Sequence, residues 1–188
     1  MHSTSVSLLQ RLRRPEEQEA SWKRFVQLYT PLLFHWARKL GLSAEDAADL
    51  VQDVLMLLMQ KLPEFEYNAS RSFRGWLRTV TLNKWRDMRR LRRVRVTDAD
   101  TDLADEKEAD AAAAFEEAEY RAHVVQQALA LMQAEFQPET WKACWDYMII
   151  GKPAAEVAKE LGLTVNSVYL AKSRVLSRLR EELAGLLD

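Results

Sequence analysis

Apolar positions recur at helical spacing along most of the chain, broken at a few punctuating residues. Within 16–29, Ala20, Phe25, Leu28 and Tyr29 share one side of a helix. Thr30–Pro31 follows, and a capping threonine before a first-turn proline predicts that a second helix starts there. That helix carries Leu32, Leu33, Trp36 and Leu40, with Trp36 in the core, and Gly41 supplies its C′ position. Ser43 with Asp46 three residues on predicts the next start. From there Ala47, Leu50, Val51, Val54, Leu55, Leu58 and Leu62 make one apolar stripe, which Pro63 ends. The opposite side shows Asp49, Gln52, Asp53, Met56 and Gln60. It is either a solvated face or, given carboxylates at i,i+4 beside an exposed methionine, a face for a partner.

After an aromatic loop with Phe65, Tyr67 and Asn68, Ser70 or Ser72 caps a helix running to about Arg95. At 100° per residue, Phe73, Leu77, Val80, Met88 and Leu91 cluster on one side. Arg71, Arg74, Arg78, Arg86, Arg89, Arg90, Arg92 and Arg93 spread over the other, with Leu82 and Trp85 among them and Trp76, Asn83 and Asp87 at one edge. So many like charges repel unless something anionic is present. Arginine forks phosphate, and aromatic rings stack on unpaired bases, so this face points to nucleic acid rather than to solubility alone. Trp76 and Trp85 suit either core packing or base stacking.

Further on, Val124, Val125, Leu129 and Met132 are helical in period, and Gln137–Pro138 breaks the chain. Trp141, Cys144, Trp145 and Met148 form the next stripe, which makes Cys144 a core residue. Gly151-Lys152-Pro153 is a turn. Ala154–Leu161 then forms a short helix, Gly162 a turn, and Thr164 caps a longer helix to about Leu183. Val157, Ala158, Leu161, Leu163, Val168, Val175 and Leu179 would share a core. This is the spacing of a helix-turn-helix, whose second helix enters the major groove, although paired helices of this kind also occur in structural bundles. The outward face of the second helix carries Asn166, Tyr169, Leu170, Ser173, Arg174 and Ser177, residue types that contact base edges or phosphates.

Charge changes how these segments read. The 188 residues carry 27 Lys+Arg and 28 Asp+Glu, a net charge of −1 that by itself disfavours a nucleic-acid partner. By segment the balance is +7 over 1–94, −8 over 95–120 and 0 over 121–188. The basic charge therefore sits with the arginine-rich helix. The acidic stretch has few large apolar residues and predicts a flexible linker, either a solvated tether or a mimic of nucleic-acid phosphates. Only 5 Gly and 5 Pro favour helices over turn-rich β architecture, and a single Cys excludes an internal disulfide framework. No apolar run reaches membrane-spanning length and no secretory signal is evident, so the expectation is a cytoplasmic protein without membrane insertion. There is no Gly-rich phosphate loop, and His2, His35 and His123 form no catalytic or metal constellation, so neither an enzyme nor a cofactor is expected.

DLVQDV (Asp49–Val54), PEFEYNASRSFRGWL (Pro63–Leu77), the arginine-rich helix, the acidic linker and the terminal helix-turn-helix together resemble a bacterial sigma factor of the extracytoplasmic-function type, a minimal member of the sigma-70 superfamily. The resemblance runs from about Trp22 to Leu183. It implies an all-α fold of two small domains, sigma domain 2 over 1–95 and sigma domain 4 over 119–188, joined by the acidic linker over 96–118. It implies core RNA polymerase as partner, through the largest-subunit clamp helices and the flap, with Asp49, Gln52, Asp53 and Met56 on the clamp-binding face. The loop and basic helix would take the non-template strand of the −10 element: Phe65, Tyr67, Asn68, Arg71, Arg74, Trp76, Arg78, Asn83, Arg86, Arg89 and Arg90. The last helix would read the −35 element as duplex through Asn166, Ser167, Tyr169, Leu170, Ser173 and Arg174. An anti-sigma factor is a further partner the family implies. Two other classes compete. A dimeric duplex-binding regulator calls for a sensor domain that is not seen, and a purely protein-binding helical module leaves the arginine face unexplained.

Overall fold

The computed structural model describes residues 7–65, 72–95 and 116–187. The acidic stretch 96–115 and the loop positions Tyr67, Asn68, Ser70 and Arg71 lie outside the described residues, as do the side chains of Arg93–Arg95. All regular structure among the described residues is helical. The α-helices are α1 (Leu8–Arg11), α2 (Gln18–Lys39), α3 (Ala44–Lys61), α4 (Phe73–Arg95), α5 (Glu117–Met132), α6 (Pro138–Trp145), α7 (Ala154–Leu161) and α8 (Val165–Leu183). No described helix is long and apolar enough to cross a membrane.

Local chemistry sets most of the boundaries. The Ser43 hydroxyl accepts from Asp46 N at 3.1 Å and starts α3. Ser72 Oγ accepts from Gly75 N at 3.1 Å and starts α4. Gly41 follows α2 at φ 83°, where a Cβ would be strained. The expected break at Thr30–Pro31 is not there: α2 runs unbroken through Pro31. Proline within a helix removes the donor to the carbonyl four residues back, here Gln27 O. That carbonyl accepts instead from Gln127 Nε2 of α5 at 3.1 Å. A contact 100 residues away thus offsets the local signal for a helix start.

The core forms around α2, which packs on α3 along one side and on α5 along another. Phe25, Tyr29 and Trp36 are fully buried there, each such side chain contributing roughly 1.5–3 kcal/mol. The predicted α3 stripe is buried at Ala47, Leu50, Val51, Val54, Leu58 and Leu62, with Leu55 partly covered. From α4, Phe73, Leu77 and Val80 join as expected. On α4 one open reading, core or stacking for Trp85, is settled and one placement, that of Leu91, is corrected. Trp85 belongs to the core, at 2% exposure, and Leu91 is 61% exposed because it lies where α4 borders an open cleft. In the next segment Trp145 and Met148 are also exposed, while Ala143, Cys144 and Asp146 are buried. The chain passes from α6 into a π-helical turn at Asp146–Ile150, and the wider turn shifts the phase of the stripe. Burial pushes the Cys144 thiol pKa up, which keeps it protonated.

The same core takes in Tyr120, Val124 and Ala128 of α5 and Leu183 and Leu186 at the end of α8. Tyr120 Oη lies 3.0 Å from Tyr29 Oη and donates to Leu186 O at 2.6 Å. Burial raises both phenol pKa values, so both stay neutral. Beside this chain, Glu182 is fully buried among arginines from three helices. Arg24 Nε lies 2.7 Å from it, Arg178 Nη1 2.8 Å and Arg11 Nη2 3.4 Å. Glu135 bridges the same Arg24 and Arg178, at 2.8 and 2.9 Å. A second core, Ala143, Ala154, Val157, Ala158, Val168 and Ala171, holds α6, α7 and α8 together.

Burial by itself would raise the Glu182 pKa, but the hydrogen bonds and charges of Arg24 and Arg178 hold it below its ordinary value. A carboxylate whose folded pKa is lowered contributes stability that is complete above the unfolded pKa and is lost as pH falls through the folded one. Glu182→Gln should cost roughly 3–5 kcal/mol near neutral pH, because it leaves the arginines facing one another. Urea unfolding followed by circular dichroism should show the wild-type and variant midpoints converging as pH falls through and below the ordinary carboxylate range. A gap that is constant with pH would refute the charge assignment.

Candidate nucleic-acid and partner interfaces

Three surfaces carry the residues singled out in the sequence. On α3, Asp49, Gln52, Asp53 and Met56 are all exposed, Met56 at 54%. The apolar stripe is turned inward toward α2, so the helix period leaves these four together on the outer side. They border two concavities. One, of about 410 Å³, lies between α2 and α3 and is walled by Trp22, Val26, Phe34, Leu55 and Met59. The other, of about 620 Å³, has Asp49, Gln52 and Asp53 on one wall and Lys84, Arg90 and Arg92 on the other.

That second cleft joins the acidic face to the basic helix. Arg92 pairs with Asp46 in the first turn of α3, and this contact holds the Asp46 pKa below its ordinary value. Along α4, Asn83, Arg86 and Arg90 are exposed. Arg86 Nη1 donates to Asn83 Oδ1 at 3.4 Å, and Arg90 reaches Asp87 at 3.3 Å. The Arg89 guanidinium lies 4.7 Å from the centroid of the Trp85 ring, which fixes it over a buried aromatic. Arg78 is half-buried, and Arg74 meets Glu117 of α5 at 3.4 Å. Phe65 and Trp76 stand apart from these charges. Their ring centroids are 4.7 Å apart and both pack on Phe73, with Phe65 buried, so they form the floor from which the loop after Phe65 departs.

The third surface is the helix-turn-helix. The α7 and α8 boundaries fall where Ala154, Leu161, Gly162 and Thr164 place them. Gly162 has φ 67° and Thr164 Oγ1 accepts from Ser167 N at 3.0 Å. Asn166, Tyr169, Leu170, Ser173 and Arg174 are exposed along α8, while Ser167 is half-buried with its hydroxyl 2.8 Å from Thr164 Oγ1. Two contributors escape sequence reasoning. Tyr147, on the π-helical turn, meets the Tyr169 ring edge-on at 5.7 Å, and Lys172 Nζ lies 5.5 Å from the Tyr147 centroid. Lys172 could have been found from its place one turn after Val168; Tyr147 could not, because the π turn decides where it points. Among the described residues no group of three or more His, Cys, Asp or Glu could hold a metal ion.

Residues 25–95, spanning most of α2 through α4 with the acidic and basic faces, match the family described as Sigma-70 region 2. Among individual proteins, the chain is 34% identical over 83 residues to the RNA polymerase sigma factor NccH of Alcaligenes xylosoxydans xylosoxydans, covering 44% of each chain. It is 42% identical over 59 residues to the RNA polymerase sigma factor CnrH of Cupriavidus metallidurans, covering 31% of this chain and 30% of that one. The chain thus matches less than half the length of these relatives. A solved structure of CnrH in complex with the cytosolic domain of CnrY aligns over 92% of both chains at 23% identity and a TM-score of 0.38.

The basic face makes a direct prediction. Arg86→Glu with Arg90→Glu should weaken binding to single-stranded DNA at least about tenfold and flatten its salt dependence, since each lost phosphate contact removes released counterions. Fluorescence anisotropy across a salt series measures both. Arg92→Ala should do less, since its partner Asp46 is largely covered, whereas the Arg90–Asp87 pair lies open to solvent on both sides.

Proposed function

We propose that this protein is an RNA polymerase sigma factor of the extracytoplasmic-function type, acting in the cytoplasm and performing no covalent chemistry of its own. The observation that carries the proposal is the Sigma-70 region 2 match over 25–95, which coincides with the elements bearing both charged faces. Asp49, Gln52, Asp53 and Met56 would bind the clamp helices of the polymerase largest subunit. Four exposed side chains combining carboxylate, amide and thioether beside an apolar groove suit an amphipathic helix with a basic flank. The second half of the chain would act as sigma domain 4, contacting the flap.

The basic face of α4 would then hold the displaced strand of the −10 element. Arg74, Arg78, Arg86, Arg89 and Arg90 supply phosphate contacts, Asn83 a polar contact to a base edge, and the loop from Phe65 through Arg71 a pocket for an unstacked base. Phe65 and Trp76 pack against each other where the chain enters that loop. In α8, Asn166, Tyr169, Leu170, Ser173 and Arg174 would meet the −35 duplex, with Ser167 serving the helix cap. Promoter recognition by both surfaces would be additive in free energy once polymerase fixes their spacing.

Run-off transcription with a cognate core polymerase and a promoter library tests the proposal: promoter-dependent initiation is expected only when the protein is added, and its complete absence would sink the reading. Reversing Asp49 and Asp53 to Lys should abolish binding to core in a pull-down while leaving the far-ultraviolet circular dichroism unchanged, because both carboxylates are exposed.

A further inference from the structure

The outer face of α8 carries more than polar and basic groups. Val165, Tyr169 and Leu170 are 40%, 47% and 46% exposed, all within the first two turns. A lone exposed leucine is ordinary, but neighbouring large apolar side chains on one face mark a surface that another molecule covers. At 100° per residue, Tyr169 and Leu170 flank Asn166 and Ser173, on the side opposite the buried Val168, Ala171 and Val175. The face therefore has a polar centre between two apolar shoulders, with Val165 at the start of the helix and Arg174 at one edge.

Charge and fold narrow what covers it. From 165 to 180 the sequence places Lys172, Arg174, Arg178 and Arg180 and no Asp or Glu, which suits a polyanion. Helix α8 is also the second helix of the helix-turn-helix, the element whose first residues meet base edges in the major groove. The apolar feature that base edges offer there is the thymine C5-methyl group. An aliphatic side chain set against base nitrogens or oxygens desolvates them with no hydrogen bond in return, whereas against a methyl it only removes apolar surface from water. Tyr169 is held ready for such a contact. Tyr147, on the π-helical turn, meets its ring edge-on at 5.7 Å and 81°, and Lys172 Nζ lies 5.5 Å from the Tyr147 centroid. A ring already fixed in place loses little freedom on binding.

Resting on the reading of α8 as the −35 helix, we propose that Val165, Tyr169 and Leu170 read thymine methyl groups in the upstream duplex, and that Tyr147 is the positioning residue that sets Tyr169 for this contact. Sequence choice by this chain then depends on methyl groups as well as on the hydrogen bonds of Asn166 and Arg174.

The test uses the full chain with core polymerase on the best template from a promoter library. Thymines of the upstream element are replaced one at a time by deoxyuridine, which lacks only the methyl, and run-off over a template series gives the half-saturating concentration. At the contacted positions the uridine template should need about fourfold more, the worth of one buried methyl. Leu170→Ala should erase that ratio at one position and Tyr169→Ala at another. Tyr147→Ala should lower it at the Tyr169 position, and Tyr147→Phe, which keeps the edge-on ring, should retain it. The ratio is taken within each variant, so a general loss of affinity cancels. On the unaltered chain, cytosine in place of a contacted thymine should recover about the same factor when that cytosine is 5-methylated. Equal use of thymine and uridine templates at every upstream position, with initiation intact, would overturn the methyl contacts and leave the promoter reading standing. Variants that weaken binding of core polymerase while the ratio keeps its wild-type value would assign the face to a protein and overturn them as well. Absence of initiation from the unmodified template would instead overturn the promoter reading itself.

Discussion

Helix α2 is the element on which the others depend. Buried on one side by α3 and on another by α5, it must supply apolar surface in two directions over 22 residues, and Phe25, Tyr29, Trp36 and the leucines between them do so. A break at Pro31 would have split it into two short helices, each marginal alone. Continuity through the proline aligns the α3 packing surface with the α5 packing surface. It therefore also fixes where the acidic face of α3 lies relative to the basic face of α4.

That alignment brings two kinds of chemistry to one cleft. Asp49 and Asp53 look across about 620 Å³ at Lys84, Arg90 and Arg92. A protein that grips the α3 side alters the field felt by the arginines, and a polyanion on the arginines alters the field at the carboxylates. Such proximity would couple a protein partner held on the α3 side to a polyanion held on the α4 side, instead of leaving them independent.

Much of the fold was legible because the determining residues are close in sequence. The α3 stripe, the Ser43 cap, the Gly162 turn and the Thr164 cap are all decided within a few positions, and α7 and α8 fall where those signals put them. The candidate surfaces on α3 and α8 followed, since an amphipathic helix identifies its outer face once its inner face is known. What was not legible depends on distant partners or altered phase. Trp85 sits among arginines in sequence yet is buried; Leu91 has apolar neighbours at helical spacing yet borders the cleft; Met148 lies on the π turn, which breaks the helical phase that put it with the stripe. Glu182 looks like a solvated helix-end residue until Arg11 and Arg24, more than 150 positions earlier, are placed beside it. The loop beyond Phe65 lies outside the described residues.

The carbonyl of Gln27 carries a consequence for how the sequence can change. Pro31 deprives it of an intrahelical donor, and Gln127 supplies one from α5. Replacing Gln127 while Pro31 stays leaves a helix carbonyl with water as its only recourse; replacing Pro31 first restores the local donor and frees position 127 to drift. The two sites are therefore epistatic, with the order of substitution deciding whether the path is neutral or costly. Across diverging copies of this chain, positions 31 and 127 are expected to co-vary.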